Sequence, residues 1–436
     1  MLEPQPIDTL VNDIVLNEPK DIPTVEIGLY AAFRGIMSNV VIAGDMTADN
    51  LIHNGTFSQY RELGVKRITS ANASVTALWG SIYQTIYIAN FMLERIPEIP
   101  SVPQAVRRKS IATAHFLRGL SNFIGVTTFG GIPKVITSNI EDNRTIPRAS
   151  EAEMLAFIEE DFVAALNNLD DGTPTPATVN NNVVRAALAR FYLYTKNYAA
   201  AETNATAVID SDKYKLEEDF LEVVTKDFTS ESIFEVGYTI ADDPGTLNTL
   251  FLGRREIIPS NEVILALNSR ESGRRWRSLV WDSTKVKGND HGWSVRTYGT
   301  AVEDNNNIMV FGLAEMFLIR AEARAITGKV TGANSAQSDL NVLRERAALE
   351  DNGVHPLPIL VPAVSQGQML LIIEEERRYE LPFEGHRWYD LRRTGRISQV
   401  MPAFNQNWRS TYELWPIPQR EIQNNSALAD SQNPGY

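Results

Sequence analysis

The chain has 436 residues, of which 43% are hydrophobic and 22% are charged, a balance typical of a globular protein. Its formal net charge of −13 argues against a nucleic-acid-binding protein, because phosphate groups require clustered lysine and arginine. The chain contains no cysteine, which excludes disulfide bonds, thiolate metal ligands and a cysteine nucleophile.

Nothing in the sequence divides the chain into separable parts. It has no Gly/Ser-rich or Pro-rich tract, so we expect one mostly helical body over residues 1–436. No uninterrupted apolar run exceeds five residues, which is far short of the roughly 20 that a membrane-spanning helix needs. A secretory signal has a positively charged segment followed by an apolar one, and neither precedes Leu2. We therefore expect that a secretory signal is missing from the chain as given.

Two stretches have the pattern of paired helices. In residues 182–211, apolar and small residues recur at spacings of three and four on both sides of Lys196. Residues 313–349 repeat the pattern, with Gly328 and Gly332 at the turn. Alanines at the crossing allow two helices to pack closely, as in a tetratricopeptide unit. Because the two pairs do not recur at a fixed period, we predict dispersed tetratricopeptide-like pairs that form a scaffold.

Residues 215–310, between the two pairs, lose the helical periodicity and are richer in Gly, Asp, Asn, Arg and aromatic residues. Long unpatterned loops in a compact protein are usually functional or disordered, and the aromatic content argues against disorder. We therefore predict an irregular, loop-rich lobe with few short strands. One of these strands is expected at 230–236, where Ile233, Phe234 and Val236 stand among serines and glutamates.

The stretch 370–396 predicts a helix, a corner and a second helix. Pro382 cannot continue the first helix, and Gly395 supplies the C-terminal stop of the second. Glu374 and Arg378 stand four residues apart, so we expect them to pair on the exposed face of the first helix.

The same stretch, with LWPIPQREI at 414–422 and QNPGY at 432–436, resembles the closing signature of the SusD/RagB family. Further elements of that family recur in the same order along nearly the whole chain, so that 370–436 is its C-terminal signature region. They are Gly44, Asp45, Asp49 and Asn50; Trp79, Tyr83, Ile86, Ala89 and Asn90; FLRG at 116–119; FGGIP at 129–133; and the run 146–169.

Members of this family are surface lipoproteins that capture nutrients beside a TonB-dependent outer-membrane transporter. The resemblance therefore implies a mostly α, SusD-like fold, a SusC-like transporter as partner, and a place on the extracellular face of the outer membrane. It also implies that a lipidated cysteine precedes the chain and that residues 1–20 are a tether. No cofactor is implied, and calcium binding stays open.

Three consecutive glutamates, Glu374 to Glu376, raise the alternative of a glycoside hydrolase, which needs two carboxylates flanking the scissile bond. Consecutive helical residues point in different directions, however, and arginines crowd the same stretch, so we interpret the cluster as a structural ion-pair network. The five histidines form no zinc motif, and the chain has no GxSxG, Walker A or GxGxxG loop.

Aromatic residues are the better candidates for a binding site, because a flat ring can cover the apolar face of a sugar while polar neighbours bind its hydroxyl groups. We expect Trp79 and Trp388 in the core and Trp415 as an anchor of the tail. The predicted ligand-binding residues are Trp281, Trp293 and Tyr298 with Asp290, His291 and Arg296 in the lobe, Asn50, His53 and Tyr60 near the start, and Trp408 near the end.

The sequence thus favours a non-catalytic protein that binds an oligosaccharide and presents it to a transporter. An alternative to oligosaccharide binding keeps the same fold and partner: a RagB-type protein that binds peptides in a long cleft through backbone hydrogen bonds. A hydrolase is the third and weakest hypothesis.

Overall fold

The computed structural model describes residues 16–169, 175–238, 241, 245–270, 279–282, 290–299, 306–348 and 361–436, without the side chains of residues 268–270, 281, 282 and 348. The described chain is mostly helical with a few short strands, as the sequence predicts. Residues 1–15, most of the expected tether, lie outside the description. Leu16 is fully buried in the main core, whereas residues 17–20 are exposed, so the tether over residues 1–20 stays a prediction.

The helices of the N-terminal half are α1 (Ile22–Met46), α2 (Ser58–Gly64), α3 (Ala73–Arg95), α4 (Gln104–Phe129), α5 (Ile140–Asn143), α6 (Glu151–Asn168), α7 (Asn181–Tyr194) and α8 (Tyr198–Ile209). Those of the C-terminal half are α9 (Phe220–Thr225), α10 (Thr246–Asn248), α11 (Asn261–Arg270), α12 (Leu313–Ile326), α13 (Ala336–Ala348), α14 (Gln366–Glu380), α15 (Arg387–Arg393), α16 (Ile397–Phe404) and α17 (Gln419–Asn424). Polar side chains cap several helix starts, as Ser150 does for α6 in a capping box with Glu153.

The strands of the described residues form three two-stranded antiparallel sheets. They pair β1 (Leu51–His53) with β3 (Ile257–Pro259), β2 (Ser232–Val236) with β6 (Ile308–Gly312), and β4 (Val280–Asp282) with β5 (Trp293–Val295). The β2 strand lies within the stretch 230–236, where a strand was predicted. Phe234 on β2 packs against Phe33 of α1 and Phe116 of α4, so this sheet is built into the main core.

Both predicted helix pairs are present. The first is α7 with α8, and the second is α12 with α13, separated by turns in which Lys196, Gly328 and Gly332 have positive φ. Helix α12 packs against α8, α13 and α14, so the second pair joins the first to the C-terminal region. This arrangement is consistent with the tetratricopeptide-like interpretation.

The predicted helix, corner and helix at the C-terminal end is confirmed as α14, a turn and α15. The predicted pairing within α14 is wrong. Glu374 accepts hydrogen bonds from Arg387 and Arg396, while Arg378 lies against Asp49, 3.1 Å away. Both side chains point towards other parts of the chain, because α14 packs against those parts. Little of the helix surface is left exposed for a pair between residues four apart.

Helix α1 differs from the expectation that no segment is long and apolar enough to cross a membrane. With the short turn before it, it forms a helical segment, Pro19–Met46, that is long and apolar enough by composition to do so. However, 56% of its most apolar window is buried inside the protein. Helix α1 packs against α3 and α4, and Phe33 and Ile36 are fully buried, as in a central core helix.

The N-terminal and C-terminal parts of the chain meet where α1 crosses the corner between α14 and α15. Asp45 accepts hydrogen bonds from the Gly385 backbone N–H at 2.6 Å and from the Asn50 amide at 2.6 Å. Asp49 accepts from Arg387 at 2.8 Å. The early acidic element and the closing signature, far apart in the sequence, therefore form one buried cluster.

Candidate functional site

The pairing of β1 with β3 places the loop after β1 against the end of the irregular lobe. The Asn54 backbone N–H donates to the Glu256 carbonyl oxygen at 2.8 Å, and the Asn54 side-chain amide reaches the Arg255 carbonyl oxygen at 3.0 Å. The same amide lies 3.1 Å from an Asp290 carboxylate oxygen. One asparagine thus joins three segments: the loop after β1, the residues just before β3 and the residues just before β5.

A buried ion pair holds the segment before β5 in place. Arg255 donates to both carboxylate oxygens of Asp290, at 2.5 and 2.6 Å, and both side chains are almost completely buried. Asp290 also accepts from the Gly292 backbone N–H at 2.8 Å. Burial raises the pKa of Asp290, but the hydrogen bonds from Arg255 and Gly292 outweigh it and bring the pKa below its ordinary value. Asp290 is therefore ionised and fixed at neutral pH.

Three half-buried aromatic residues belong to the segments that this framework joins, and we call Phe57, Tyr60 and Trp293 the aromatic face. Phe57 and Trp293 each follow, by three residues, the contact between Asn54 and Asp290. The Phe57 and Tyr60 rings are 6.2 Å apart, and the exposed Arg254 guanidinium lies 4.4 Å from the centre of the Phe57 ring. Rings that are rigidly held and only partly covered can stack against a ligand.

The polar residues predicted beside these rings are placed differently from the expectation. His53 lies 3.2 Å from Glu256, and His291 lies 2.8 Å from the Pro259 carbonyl oxygen, so both histidines brace the framework. Asn50 and the Asp290 side chain are buried, with their hydrogen bonds directed to the protein. For these two residues the structure corrects the predicted ligand contact to a supporting role.

The lobe residues predicted as ligands also separate. Tyr298 is only 3% exposed; its hydroxyl donates to the Phe383 carbonyl oxygen at 2.9 Å and its ring stacks on Phe251. It is a core residue that joins the lobe to the C-terminal corner, and its predicted ligand contact is corrected accordingly. Arg296 is half-buried beyond β5. The backbone of Trp281 lies in β4, opposite Ser294, while its side chain is outside the described residues.

Trp408 is half-buried and lies at the far end of α2 from Phe57. The Asn405 amide is 3.4 Å from the Gly64 carbonyl oxygen, and the Trp408 ring meets the Tyr412 ring edge-on at 6.1 Å. Helix α2 thus runs from the aromatic face to the Trp408 loop. A ligand that contacts both would extend along this helix.

Three of the four glutamates of α14 are paired with arginines. Glu374 pairs with Arg387 and Arg396, Glu376 accepts from Arg344 at 2.9 Å, and Glu380 accepts from Arg346. A carboxylate held by a guanidinium is a poor nucleophile and a poor acid. The arrangement is that of a structural network, as the sequence analysis interpreted it.

A concavity of about 310 Å³ lies elsewhere, among the arginines of the C-terminal corner. Of the predicted ligand-binding residues whose side chains are described, only Asn50 lines it, and the described wall includes the rings of Tyr198 and His386. Within the described ranges, His, Asp and Glu residues do not gather in groups of three or more that could hold a metal ion.

Sequence reasoning missed Phe57, Arg254, Arg255 and Glu256. The signal was weak: two arginines and a glutamate stand directly before the apolar pair Ile257 and Ile258. Nothing in that pattern shows that Glu256 turns back to accept a hydrogen bond from the Phe57 backbone N–H, because the contact, between residues 199 positions apart, depends on the pairing of β1 with β3.

Family models match both parts of the chain. A model of the SusD family matches residues 286–436, and a SusD-like model described as "Starch-binding associating with outer membrane" matches residues 3–193. Curated relatives match from end to end: SusD-like protein P2 of Formosa agariphila is 25% identical, covering 100% of this chain and 96% of its own length. SusD-like protein P38 of the same organism is 24% identical over 94% of this chain and 91% of its own.

Solved structures confirm the fold. A laminarin-binding SusD-like protein superposes with a TM-score of 0.79 at 23% identity, covering 96% of this chain and all of its own. A SusD superfamily protein from Parabacteroides distasonis gives a TM-score of 0.82 at 19% identity, covering 98% of this chain and 100% of its own. The chain is a member of the SusD-like family.

Proposed function

We propose that this protein binds an oligosaccharide on its aromatic face, without cleaving it, and passes it to a SusC-like TonB-dependent transporter at the extracellular face of the outer membrane. The observation that carries the glycan proposal is the partly exposed set of rings, Phe57, Tyr60 and Trp293, held on a framework of buried polar contacts. Membership of the SusD-like family and the laminarin-binding neighbour support it.

The geometry suits weak, reversible binding. Each of the three aromatic side chains is partly exposed, and the exposed polar residues Arg254, Thr56 and Ser58, which lie over the Phe57 ring or flank Phe57 in the chain, can bind hydroxyl groups. Two stacked rings and a few hydrogen bonds, less the cost of immobilising a flexible oligomer, leave about −4 to −6 kcal/mol, or roughly millimolar to tens of micromolar Kd. A site of that strength releases its ligand quickly enough to hand it on.

The absence of catalysis is part of the proposal. Hydrolysis of a glycosidic bond needs one carboxylic acid and one free carboxylate at a set separation. The α14 glutamates Glu374, Glu376 and Glu380 are instead each paired with arginine. Incubation with a bound glycan should release no reducing sugar, and sustained release that Glu375→Gln or Glu376→Gln abolishes would establish a hydrolase.

Isothermal titration calorimetry against laminari-oligosaccharides, malto-oligosaccharides and a mixture of short peptides tests the ligand class. We expect saturable binding of at least one glycan series, weakened about tenfold or more by Trp293→Ala because a stacked ring contributes on the order of 1–2 kcal/mol. Phe228→Ala is the matched control, since the Phe228 ring is 45% exposed but belongs to another surface, beside Gly237.

The outcomes separate the hypotheses. Equal weakening by Phe228→Ala would mean that the aromatic face is not the site. Saturable peptide binding with no response to any glycan would establish the RagB-type alternative. The transporter is tested separately, by capture on the immobilised protein from detergent-solubilised outer membranes; identification of a TonB-dependent transporter supports the partner, and its repeated absence contradicts it.

A further inference from the structure

The concavity in the C-terminal corner has an exposed mouth and a buried floor. Lys196, Leu371 and Thr394 are exposed at its rim, whereas Arg377 and Asp390 are almost fully buried at its base. Its walls come from α12, α14, α15 and the turn between α7 and α8. The volume of about 310 Å³ is at the lower end of the range for small-molecule sites.

Arg377 is the unusual member of this wall. Its Nε donates to Asp390 at 2.7 Å, but Nη1 and Nη2, both buried, have no hydrogen-bond partner within the part of the chain that the structure describes. The whole side chain is 4% exposed. Buried guanidinium N–H groups without acceptors destabilise a protein, so an acceptor is needed at this position.

The other charged groups around the pocket do not supply that acceptor. Asp390 is shared with Arg393, which also binds Glu322 at 2.8 Å, and Glu374 is taken by Arg387 and Arg396. Among the described residues, the lining contains His386 and six cationic side chains, five arginines and Lys196, against the three carboxylates Glu322, Glu374 and Asp390. Even when Asp49, which pairs with two of these arginines, is added to the acidic side, cationic groups remain in excess.

We propose that this pocket is a second binding site, for a small molecule that carries a carboxylate or sulfate group. The oxyanion accepts from Arg377 Nη1 and Nη2, and the uncharged remainder, about the size of one sugar ring, points to the mouth between Lys196 and Leu371. Two oxygens of a carboxylate or sulfate group can accept from the two parallel N–H groups of the guanidinium fork. The site is separate from the aromatic face and does not depend on the proposed glycan binding there.

The probes are glucuronate, inorganic sulfate and glucose, titrated by calorimetry at constant ionic strength with chloride as the balancing anion. We expect saturable binding of glucuronate and sulfate, and none of glucose, which lacks the charge. Leu371→Trp fills the mouth from an exposed helical position, so the fold should be retained and anion binding should weaken by about tenfold or more. Leu265→Trp, at a 64% exposed position on α11, is the matched control and should bind as the wild type does.

Two further measurements place the ion. Lys196→Asn, which retains a residue that tolerates the positive φ at this position, should weaken anion binding severalfold. Crystals soaked in selenate should show an anomalous peak within hydrogen-bond distance of Arg377 Nη1 or Nη2. Absence of saturable binding by either anion up to about 50 mM would show that water satisfies Arg377, and binding unchanged by Leu371→Trp would place the anion elsewhere. Either result overturns the proposal.

Discussion

A Cβ atom added to Gly44 would lie 1.8 Å from the carbonyl oxygen of Gly385. Helix α1 therefore crosses the corner between α14 and α15 in direct backbone contact. Gly385 itself has φ of +86° and would bring a Cβ to 2.6 Å from the Val40 carbonyl oxygen. Both positions require glycine. Gly44 has no space for a side chain, and Gly385 has neither the space nor a backbone conformation that other residues readily adopt.

Substitution of Gly44 tests this crossing. Gly44→Ala should lower the free energy of unfolding by about 3 kcal/mol or more, because a backbone carbonyl cannot move aside as a side chain can. The control is Gly28→Ala in the same helix, where nothing lies within 4 Å of the added Cβ and stability should rise by up to about 1 kcal/mol. Urea unfolding measures both, and equal effects would contradict the contact.

The buried charge cluster gives a second prediction. Asp49 accepts from Arg387 at 2.8 Å and lies 3.1 Å from Arg378, and all three are largely buried. Asp49→Asn should cost about 3–5 kcal/mol, because it leaves buried guanidinium groups without their counter-charge.

Glu141→Gln is the matched surface change for Asp49→Asn. Glu141 and Arg144 are paired at 3.0 Å but are both mostly exposed, so this substitution should alter stability by less than about 0.5 kcal/mol. Guanidinium chloride is unsuitable as the denaturant because it is a salt and screens charges, so unfolding should be measured in urea. A small effect of Asp49→Asn would mean that water reaches the cluster.

Much of this architecture could be predicted from the sequence. The helix pairs, the corner at Pro382 and the strand near Phe234 depend on local periodicity and turn residues, which act within a few positions. The charge partners could not be predicted in the same way. Glu374 pairs with arginines 13 and 22 residues away because the corner folds α15 back on α14, whereas spacing along a helix shows only neighbours on that helix.

The candidate site shows the same limit. Composition indicated that the lobe carries aromatic residues but could not tell that Tyr298 is buried and Trp293 is half-buried, since the two stand five residues apart in similar surroundings. The difference arises from the Phe383 carbonyl and the Phe251 ring, which reach Tyr298 from distant segments.

Tyr298 and Trp293 should therefore respond differently to truncation. Tyr298→Ala should lower the free energy of unfolding by about 3–5 kcal/mol, because it empties a packed position and removes the hydrogen bond to Phe383. Trp293→Ala should cost much less, since its ring is only partly buried. Thermal or urea unfolding distinguishes them; a large loss at both positions would make Trp293 a core residue and remove it from the aromatic face.

Lys66 provides a prediction on pH. Its ammonium group is buried beneath the Met46 and Ala48 carbonyl oxygens, and burial lowers the pKa of Lys66 to about 7 despite the nearby Asp49. Between that value and the ordinary pKa of 10.5, the unfolded chain holds a proton that the folded protein has released, so stability should rise with pH.

Lys66→Met isolates this effect, because the two proteins share all other titrating groups. The free energy of unfolding of the wild type relative to Lys66→Met should increase by about 2 kcal/mol from pH 7 to pH 9. Urea titrations across this range measure the difference. A difference that stays constant with pH would mean that Lys66 remains charged in the folded protein up to its ordinary pKa.

The contact between the early acidic element, at Asp49, and the closing signature, at Arg387, also affects how the chain folds. Asp49 and Arg387 are separated by 338 positions, so their contact can form only after ribosomal synthesis has passed α15. Until then the acidic end of α1 and the apolar surface near it have no partner, and a nascent chain of this length would rely on chaperones to avoid misassociation. We expect truncations of the last helices to yield aggregates rather than a smaller stable protein, because they leave this buried cluster incomplete.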